Sequence, residues 1–203
     1  NIPENFANRS PAAYTAPMKA MQYYDHSLQQ FFNQAKNEPW FANTTFIFCS
    51  DHWLFPQGKL APYTAVSAYR IPVIIYEPSI NTRKVDNRVA SQFEIAATIL
   101  ATAGYSDSII SYGNNLLESS SFNHCVFSRP GNGLYQVTDS SYILGFNSVT
   151  NKAEFLYNYK KDIRLSQNLY ADKNASLILN NLLLKARAFL QKASAQYNNN
   201  AFK

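Results

Sequence analysis

The sequence predicts an α/β fold, with a mainly parallel sheet flanked by helices and then a C-terminal antiparallel meander and a final helix. Over the first half of the chain, stretches with apolar residues every three or four positions alternate with short runs that are apolar on both faces. This pattern is typical of helices packed on a buried sheet. From Asn123 the hydrophobic period changes to two, as in antiparallel strands. Because 46% of the 203 residues are hydrophobic, a packed core can form, and we expect a single domain over residues 1–203.

The first long helix should follow a loop-like lead-in over residues 1–15. Thr15 is a suitable N-cap and Pro17 is tolerated in a first turn, and Asn37-Glu38-Pro39 ends the helix. Apolar side chains recur along it at steps of three and four, which predicts a stripe that faces the core. The stripe comprises Met18, Met21, Tyr24, Leu28, Phe31 and Ala35.

Two strands and a second helix come next. Thr44–Cys49 and Arg70–Tyr76 are apolar on both faces, which favours buried parallel strands. About twenty residues with Pro and Gly separate them, and a connection of that length usually surrounds a functional site. A helix is predicted over Ser91–Ala103, with Gly104 suited to its C-terminal cap.

The C-terminal part is predicted to be a meander over residues 123–160 and a terminal helix over residues 174–197. Four segments of alternating hydrophobicity are separated by short groups of Pro, Gly, Asn, Asp and Ser, which form turns. The terminal helix has one apolar face, formed by Ile178, Leu182, Ala186, Phe189 and Leu190.

Composition argues against several classes of protein. The net charge of +5 comes from 18 basic and 13 acidic residues, and the basic residues form no run of five or six, so we expect no nucleic-acid partner. No apolar stretch reaches the ~18 residues that span a membrane. The first residue is Asn rather than Met, from which we expect a processed or excised piece. Cys49 and Cys125 are too few for a disulfide framework, and we expect no bridge between them.

Asp51 and His52 directly follow the Thr44–Cys49 strand. In open α/β sheets, ligand sites lie beyond the carboxyl ends of the strands, and a carboxylate beside an imidazole suits a divalent cation such as Zn²⁺ or Mn²⁺. The alternative is a capping Asp beside a surface His. The same dipeptide recurs at Asp25-His26, but adjacent side chains diverge in a helix, so we interpret that pair as helix surface or packing. His124 is interpreted as a core or surface residue.

Five motifs occur in the order in which the sulfatase family of the alkaline phosphatase superfamily has them. The family's helix, turn and strand ending in Asp-His-Gly are matched by YYDHSLQQFFNQAKNEPWFANTTFIFCSDHW. Its R-x-P strand is similar to YRIPVIIYEP, and the helix after it to VASQFEIAATILATAG. A G-x-x-L turn resembles GNNLLE, and the loop before the last helix resembles DIRLSQNLYAD. The resemblance covers about residues 14–190 and extends most closely to lipoteichoic-acid-synthase-like phosphoglycerol transferases.

This resemblance implies an alkaline-phosphatase-like sandwich in which Asp51 and His52 are two ligands of one divalent metal ion (Mn, Zn, Ca or Mg). It implies a sulfatase-like hydrolase or phosphoglycerol transferase acting on a sulfate or phosphate ester or on a lipid head group. It also implies a location at the extracytoplasmic face of the cell membrane or in the periplasm. The family's nucleophile and further metal ligands precede this region, so we expect no catalytic residue in this chain and no turnover by the chain alone. We expect as partners the N-terminal half of the same domain or a second copy of the chain.

Three positions depart from the family's motifs. Trp53 stands where Gly is usual, and its indole either walls a substrate pocket or packs against the protein. Glu94 replaces the usual Asp and Ala97 the usual Pro, and both changes are mild. Two alternatives remain open: a two-metal phosphatase or phosphodiesterase, which needs a further His downstream, and a non-catalytic binding domain on the same fold.

Overall fold

The structure, a computed structural model, describes residues 2–7, 11, 15–53, 65–118 and 125–199. The chain divides into two compact units. The first comprises Asn1–Tyr63 and Arg70–Lys84, and the second comprises Thr64–Tyr69 and Val85–Lys203. The expectation of a single domain over residues 1–203 stays a prediction.

Two helices open the first unit. The four-residue helix α1 (Glu4–Ala7) lies in the segment expected to be loop-like, so that expectation is wrong at this turn. It is followed by α2 (Ala16–Ala35), with Thr15 at the N-cap position and Pro17 in the first turn, as predicted. The Thr15 side chain makes no capping hydrogen bond, so the extended backbone at Thr15 and the fixed φ of the proline define this end of the helix.

Helix α2 does not bury its predicted stripe as a whole. Met21 and Tyr24 are each 62% exposed and Phe31 is 46% exposed, whereas Ala35 is buried. Phe32 makes the main contact with the sheet, with ring centroids 5.1–5.9 Å from Phe46, Phe48 and Tyr76. Adjacent phenylalanines lie about 100° apart on a helix. Phe32 therefore faces the sheet more directly, and Phe31 contacts Phe46 at a longer centroid distance of 6.1 Å.

The strands β1 (Phe46–Cys49) and β2 (Val73–Tyr76) form an antiparallel pair. The prediction of buried parallel strands is therefore wrong here, and the part of the chain that the structure describes contains no parallel pair. Residues of β1 are all half-buried, and those of β2 alternate between half-buried and exposed. A run that is apolar on both faces indicates contact on both faces, but it carries no information about the direction of the neighbouring strand.

In the second unit, α3 (Phe93–Thr102) lies within the predicted range of Ser91–Ala103. The N–H and hydroxyl of Ser91 donate to the Glu94 carboxylate over 2.7 and 2.6 Å, and these bonds satisfy this buried acid at the start of the helix. Gly104 ends the helix with φ +76°, which confirms its predicted role as the C-terminal cap.

The predicted meander is confirmed as a four-stranded antiparallel sheet in the order β3-β4-β5-β6. Its strands are β3 (Val126–Gly131), β4 (Leu134–Thr138), β5 (Tyr142–Asn147) and β6 (Lys152–Asn158). The terminal helix α4 (Ser176–Asn198) follows, close to its predicted bounds.

The main core of the second unit lies between the meander and α4. Val137, Leu144 and Leu156 of the sheet are fully buried and pack in one cluster with Leu182 and Ala186 of α4. Phe189 of α4 stacks on Phe127, with centroids 4.0 Å apart. The predicted apolar face of α4 is thus the face that the structure buries.

Two further sequence predictions concern cysteines and membrane spans. Both Cys49 and Cys125 are free thiols, and the expected absence of a bridge between them stays a prediction. None of the helices in the described ranges combines the length and apolarity needed to cross a membrane.

Candidate functional site

The end of β1 places Asp51 and His52. Pairing with β2 stops at Cys49, which lies opposite Val73. The Cys49 thiol donates to the Ser50 carbonyl oxygen over 3.2 Å. The next residues leave the sheet, and the acid and the imidazole therefore follow the carboxyl end of a strand, as the sequence indicates.

Asp51 and His52 are close together and open to solvent. The Asp51 Oδ1 accepts the backbone N–H of His52 over 2.8 Å, while Oδ2 lies 3.6 Å from His52 Nε2. The side chains are 88% and 71% exposed, respectively. A ligand or another protein segment can therefore reach Asp51 Oδ2 and His52 Nε2.

The backbone of Trp53 sets the tautomer of His52. The His52 Nδ1 lies 2.9 Å from the Trp53 carbonyl oxygen, and a carbonyl can only accept, so Nδ1 carries the hydrogen. In the neutral ring, the lone pair is then on Nε2, the nitrogen next to the Asp51 carboxylate. Metal-binding histidines are commonly oriented in this way, with the other ring nitrogen donating to a carbonyl or carboxylate.

The separation of Asp51 Oδ2 and His52 Nε2 fits shared ligation of one ion. Zinc binds oxygen and nitrogen ligands at about 2.0–2.2 Å, so two ligand atoms of one ion can stand up to about 4 Å apart. The observed 3.6 Å lies within that limit. Among the residues described, no group of three or more His, Cys, Asp and Glu side chains could hold a metal. The geometry of Asp51 and His52 therefore fits two ligands of a metal site rather than a complete site.

A groove of about 950 Å³ runs along the first unit between α2 and the β1–β2 sheet, and Asp51 is one of its lining residues. Its walls are mostly apolar, and Lys36, the C-cap residue of α2, carries the other formal charge among the lining residues described. The apolar lining is supplied by Leu28, Phe32, Phe41, Phe48, Pro72 and Ile74. Asp51 therefore presents a carboxylate to a mainly apolar groove.

The other residues singled out from the sequence have different surroundings. His26 packs against Phe6, with ring centroids 5.2 Å apart, and Asp25 is exposed, in agreement with the interpretation of that dipeptide as surface and packing. Trp53 is half-buried, and the role of its indole stays a prediction. His124 lies outside the described residues.

Sequence reasoning missed the contribution of the Trp53 carbonyl. The backbone carbonyl oxygen of Trp53 lies 2.9 Å from His52 Nδ1. Such a contact cannot be predicted from residue identity, because every residue has a backbone carbonyl. The direction of the carbonyl depends on the local conformation of the chain.

Comparison with known proteins shows that the chain is similar to sulfatases. A family model described as Sulfatase matches residues 1–105. A curated relative from Bacillus subtilis (strain 168), described as "Lipoteichoic acid synthase-like YvgJ", is 24% identical over 112 residues. This alignment covers 48% of the chain and 18% of the relative, so the chain spans less than a fifth of that relative's length.

Solved structures show the same fold at low sequence identity. A protein of the alkaline phosphatase superfamily from Vibrio parahaemolyticus superposes with a TM-score of 0.71 at 22% identity, covering 98% of this chain and 46% of that one. A putative sulfatase from Bacteroides thetaiotaomicron VPI-5482 gives 0.65 at 18% identity, covering 90% and 42%. A third protein, solved with its substrate D-glucosamine-2-N,6-O-disulfate, gives 0.60 at 17% identity, covering 90% and 40%. The predicted alkaline-phosphatase-like fold is thereby confirmed.

Proposed function

Because the chain belongs to the sulfatase family, we propose that it is part of a metal-dependent hydrolase or transferase acting on sulfate or phosphate esters. Asp51 and His52 supply two ligands of its single divalent ion, which is Mn, Zn, Ca or Mg. The observation that carries this proposal is the 3.6 Å separation of Asp51 Oδ2 and His52 Nε2 at the end of β1. The Nδ1–H of His52 is held by the Trp53 carbonyl, which leaves Nε2 free to ligate.

In this proposal, the chain's own residues orient the ligand atoms. The N–H of His52 holds Oδ1 of Asp51 and so turns Oδ2 towards the imidazole. Because both side chains are exposed, the remaining ligands and the substrate can approach from solvent. A divalent cation held by Asp51 and His52 would supply Lewis-acid chemistry, polarising a phosphoryl or sulfuryl oxygen and lowering the pKa of a hydroxyl.

The nucleophile and the other metal ligands are proposed to belong to the longer protein rather than to these 203 residues. Catalytic metal sites usually have three protein ligands, and the described residues supply a set of two. A catalytic unit that lacks its nucleophile loses most of its activity. The chain by itself should therefore bind metal weakly and turn over no ester.

Two kinds of substrate are supported by different relatives. The neighbour solved with a disulfated glucosamine supports a sulfate ester. The lipoteichoic acid synthase-like relative supports phosphoglycerol transfer from a lipid head group, and with it a site of action at the extracytoplasmic face of the membrane. Assays of the longer protein with an aryl sulfate, an aryl phosphate and phosphatidylglycerol vesicles would separate these substrates.

A second copy of the chain, or the preceding part of its own domain, is the proposed protein partner of the first unit. Met21, Tyr24, Phe31 and Ile74 are each at least 46% exposed, and exposed apolar surface of this kind marks contact sites. Sedimentation over a range of concentrations would detect self-association. A monomer at every concentration would leave the preceding part of the domain as the partner.

The two alternative functions have less support from the sequence. A two-metal phosphatase or phosphodiesterase needs a His well downstream of Asp51, and His124, the one histidine after His52, does not resemble that motif. A non-catalytic binding domain on this fold has no need of a paired Asp51 and His52, although their retention does not by itself establish catalysis.

Metal titration tests the assignment of ligands. Added Mn²⁺ should broaden the NMR signals of Asp51, His52 and Trp53 first, and Asp51→Asn should abolish this effect. The other Asp-His dipeptide of the chain provides a matched control, because Asp25→Asn removes an exposed carboxylate next to a histidine in a helix and should leave the broadening unchanged. Equal loss in both variants would refute the site.

Activity of the chain alone tests where the machinery lies. With aryl sulfate or aryl phosphate and added Mn²⁺ or Zn²⁺, the 203-residue chain should give background rates. Metal-dependent turnover by this chain that Asp51→Ala abolishes would show that the nucleophile is present after all. Turnover by the longer protein that survives Asp51→Ala would instead argue for the binding-domain alternative.

A further inference from the structure

A lysine and a cysteine meet in the second unit, away from the residues of the proposed metal site. The Lys185 Nζ donates to the Cys125 Sγ over 3.3 Å, although the two residues are 60 positions apart. Cys125 directly precedes β3 and Lys185 belongs to α4. Both side chains are half-buried, and Cys125 packs against the main core cluster.

The geometry suits a reaction between the two side chains. Reacting atoms in a productive arrangement stand about 3–3.5 Å apart, and the observed distance of 3.3 Å lies in that range. A sulfenic acid formed from a thiol can be captured by a neighbouring nitrogen or by a second thiol. Because the amine of Lys185 already lies 3.3 Å from the sulfur, its attack is intramolecular and is favoured over attack by a second thiol from another molecule.

We propose that Cys125 and Lys185 form a reversible redox cross-link, in which a hydroperoxide oxidises the Cys125 thiol and the Lys185 amine then bonds to its sulfur. The cross-link would join the residue before β3 covalently to α4. It would therefore hold the terminal helix on the meander under oxidising conditions and release it under reducing ones.

The chemistry balances in two steps. In the first, the sulfur of Cys125 attacks the hydroperoxide, the O–O bond breaks, and the products are the sulfenic acid and an alcohol, or water from hydrogen peroxide. In the second, the neutral Lys185 amine attacks the sulfur, an S–N bond forms, and the sulfenic hydroxyl leaves with the amine proton as water. Sulfur is oxidised by two electrons and the peroxide is reduced by two. An added thiol reverses the linkage by attacking sulfur and returning the amine.

The surroundings of Cys125 set the conditions for this reaction. Burial raises the pKa of the Cys125 thiol, the nearby Lys185 ammonium lowers it, and the Asp139 carboxylate raises it further. Burial is the largest of these effects, so the thiol form dominates at neutral pH and thiolate attack on peroxide is slow. The first step should therefore accelerate as the pH rises above neutrality. The second step needs a deprotonated amine.

Cys49 provides a comparison within the same chain. Its thiol donates to the Ser50 carbonyl oxygen, and an amide oxygen is too weak a nucleophile to form a stable bond to the oxidised sulfur. Oxidised Cys49 should therefore proceed to a sulfinic acid or a disulfide with another molecule.

Peptide mapping by mass spectrometry tests the proposal. The purified protein is treated with hydrogen peroxide at mildly alkaline pH, digested without reductant, and compared with a sample reduced by dithiothreitol. We expect a linked pair of peptides containing Cys125 and Lys185, lighter than the separate peptides by two hydrogen atoms and separated again by dithiothreitol. Cys49→Ser should retain the linked pair.

Lys185→Arg is the matched variant. The guanidinium keeps the positive charge and the donor near sulfur but stays protonated, so the linked pair should disappear while the fold is retained. The proposal would be overturned if the wild-type protein carried Cys125 as a sulfinic acid, as a disulfide or as an unmodified thiol while Cys49 was oxidised. This readout on the wild-type protein does not depend on the folding of any variant.

Discussion

The β1–β2 sheet and the β3–β6 meander differ most in the burial of their side chains. In the meander, Val137, Leu144 and Leu156 are fully buried. In the smaller sheet, every residue of β1 is half-buried, and Ile74 of β2 is 55% exposed. The candidate metal ligands follow β1, so the proposed chemistry lies in the unit with less buried apolar surface.

This difference has a physical consequence for stability. Hydrophobic burial is the main favourable term in folding, and segments with few buried apolar contacts open locally at lower free energy than the core. The second unit should therefore hold most of the folding free energy of this chain. The first unit, which carries Asp51 and His52, should open more readily unless another protein segment covers it.

The largest expected effect is a core truncation in the meander. Leu144→Ala removes a fully buried side chain and should lower the free energy of unfolding by about 2–5 kcal/mol. Ile74→Ala, at a largely exposed strand position in the first unit, should cost less than about 1 kcal/mol. Denaturant unfolding, with hydrogen exchange to locate the change, would measure both. Equal losses would contradict the contrast between the two sheets.

A second expected effect tests whether the tight packing of the second unit extends to its loops. A Cβ at Gly113 would clash with the backbone of Phe93 and Glu94, and backbone cannot move aside cheaply, so Gly113→Ala should cost about 3 kcal/mol. Gly104→Ala has open space around the new methyl group but a φ of +76°, and should cost about 1–2 kcal/mol. Thermal unfolding would compare the stability losses of the two variants. A larger loss for Gly104→Ala would show that the loop around Gly113 relaxes to accommodate the methyl group.

Local sequence patterns predicted the second unit better than the first. The meander follows from its period of two and from the turn residues between its strands, and α4 from its apolar face, because short-range pairing and packing determine both. The position of Asp51 and His52 after β1 could also be predicted, because it depends only on where the strand ends.

Long-range pairing in the first unit could not be predicted in the same way. The direction of β2 relative to β1 depends on the path of the chain between them, and apolar runs such as those in Phe46–Cys49 are compatible with either direction. The choice of Phe32 over Phe31 as the contact residue depends on how α2 is rotated against the sheet. Neither property is encoded in a single segment.

A third, smaller effect concerns the packing of α2 on the β1–β2 sheet in the first unit. Phe32→Ala removes the ring that contacts Phe46, Phe48 and Tyr76. Because Phe32 is only half-buried, the loss should be about 1–2 kcal/mol, below the ~3–5 kcal/mol typical of a fully buried Phe. Phe31→Ala is the matched control at a more exposed position and should cost less. If Phe31→Ala cost more, the predicted stripe would be the true packing face after all.

The smallest expected effect is an acid-dependent one, confined to the loop between β6 and α4. The backbone N–H of Gln167 donates to Asp162 Oδ2 over 2.8 Å and the Ser166 hydroxyl donates to Oδ1 over 3.1 Å. These bonds, that from Gln167 foremost, lower the pKa of Asp162 from its ordinary value of 3.8, although slight desolvation opposes them. A carboxyl whose pKa is lower in the folded state stabilises that state above the unfolded pKa, and the stabilisation is lost as the pH falls through the folded value.

The protection of the Gln167 amide against hydrogen exchange should therefore be constant above about pH 4 and decline below it, whereas Asp162→Asn should show weaker protection with no such decline. Because Asp162 lies in a surface loop and is only half-buried, the change should stay local and leave the unfolding of the meander untouched. An acid-induced loss of protection in β5 that disappears in Asp162→Asn would instead show that this loop supports the core of the second unit.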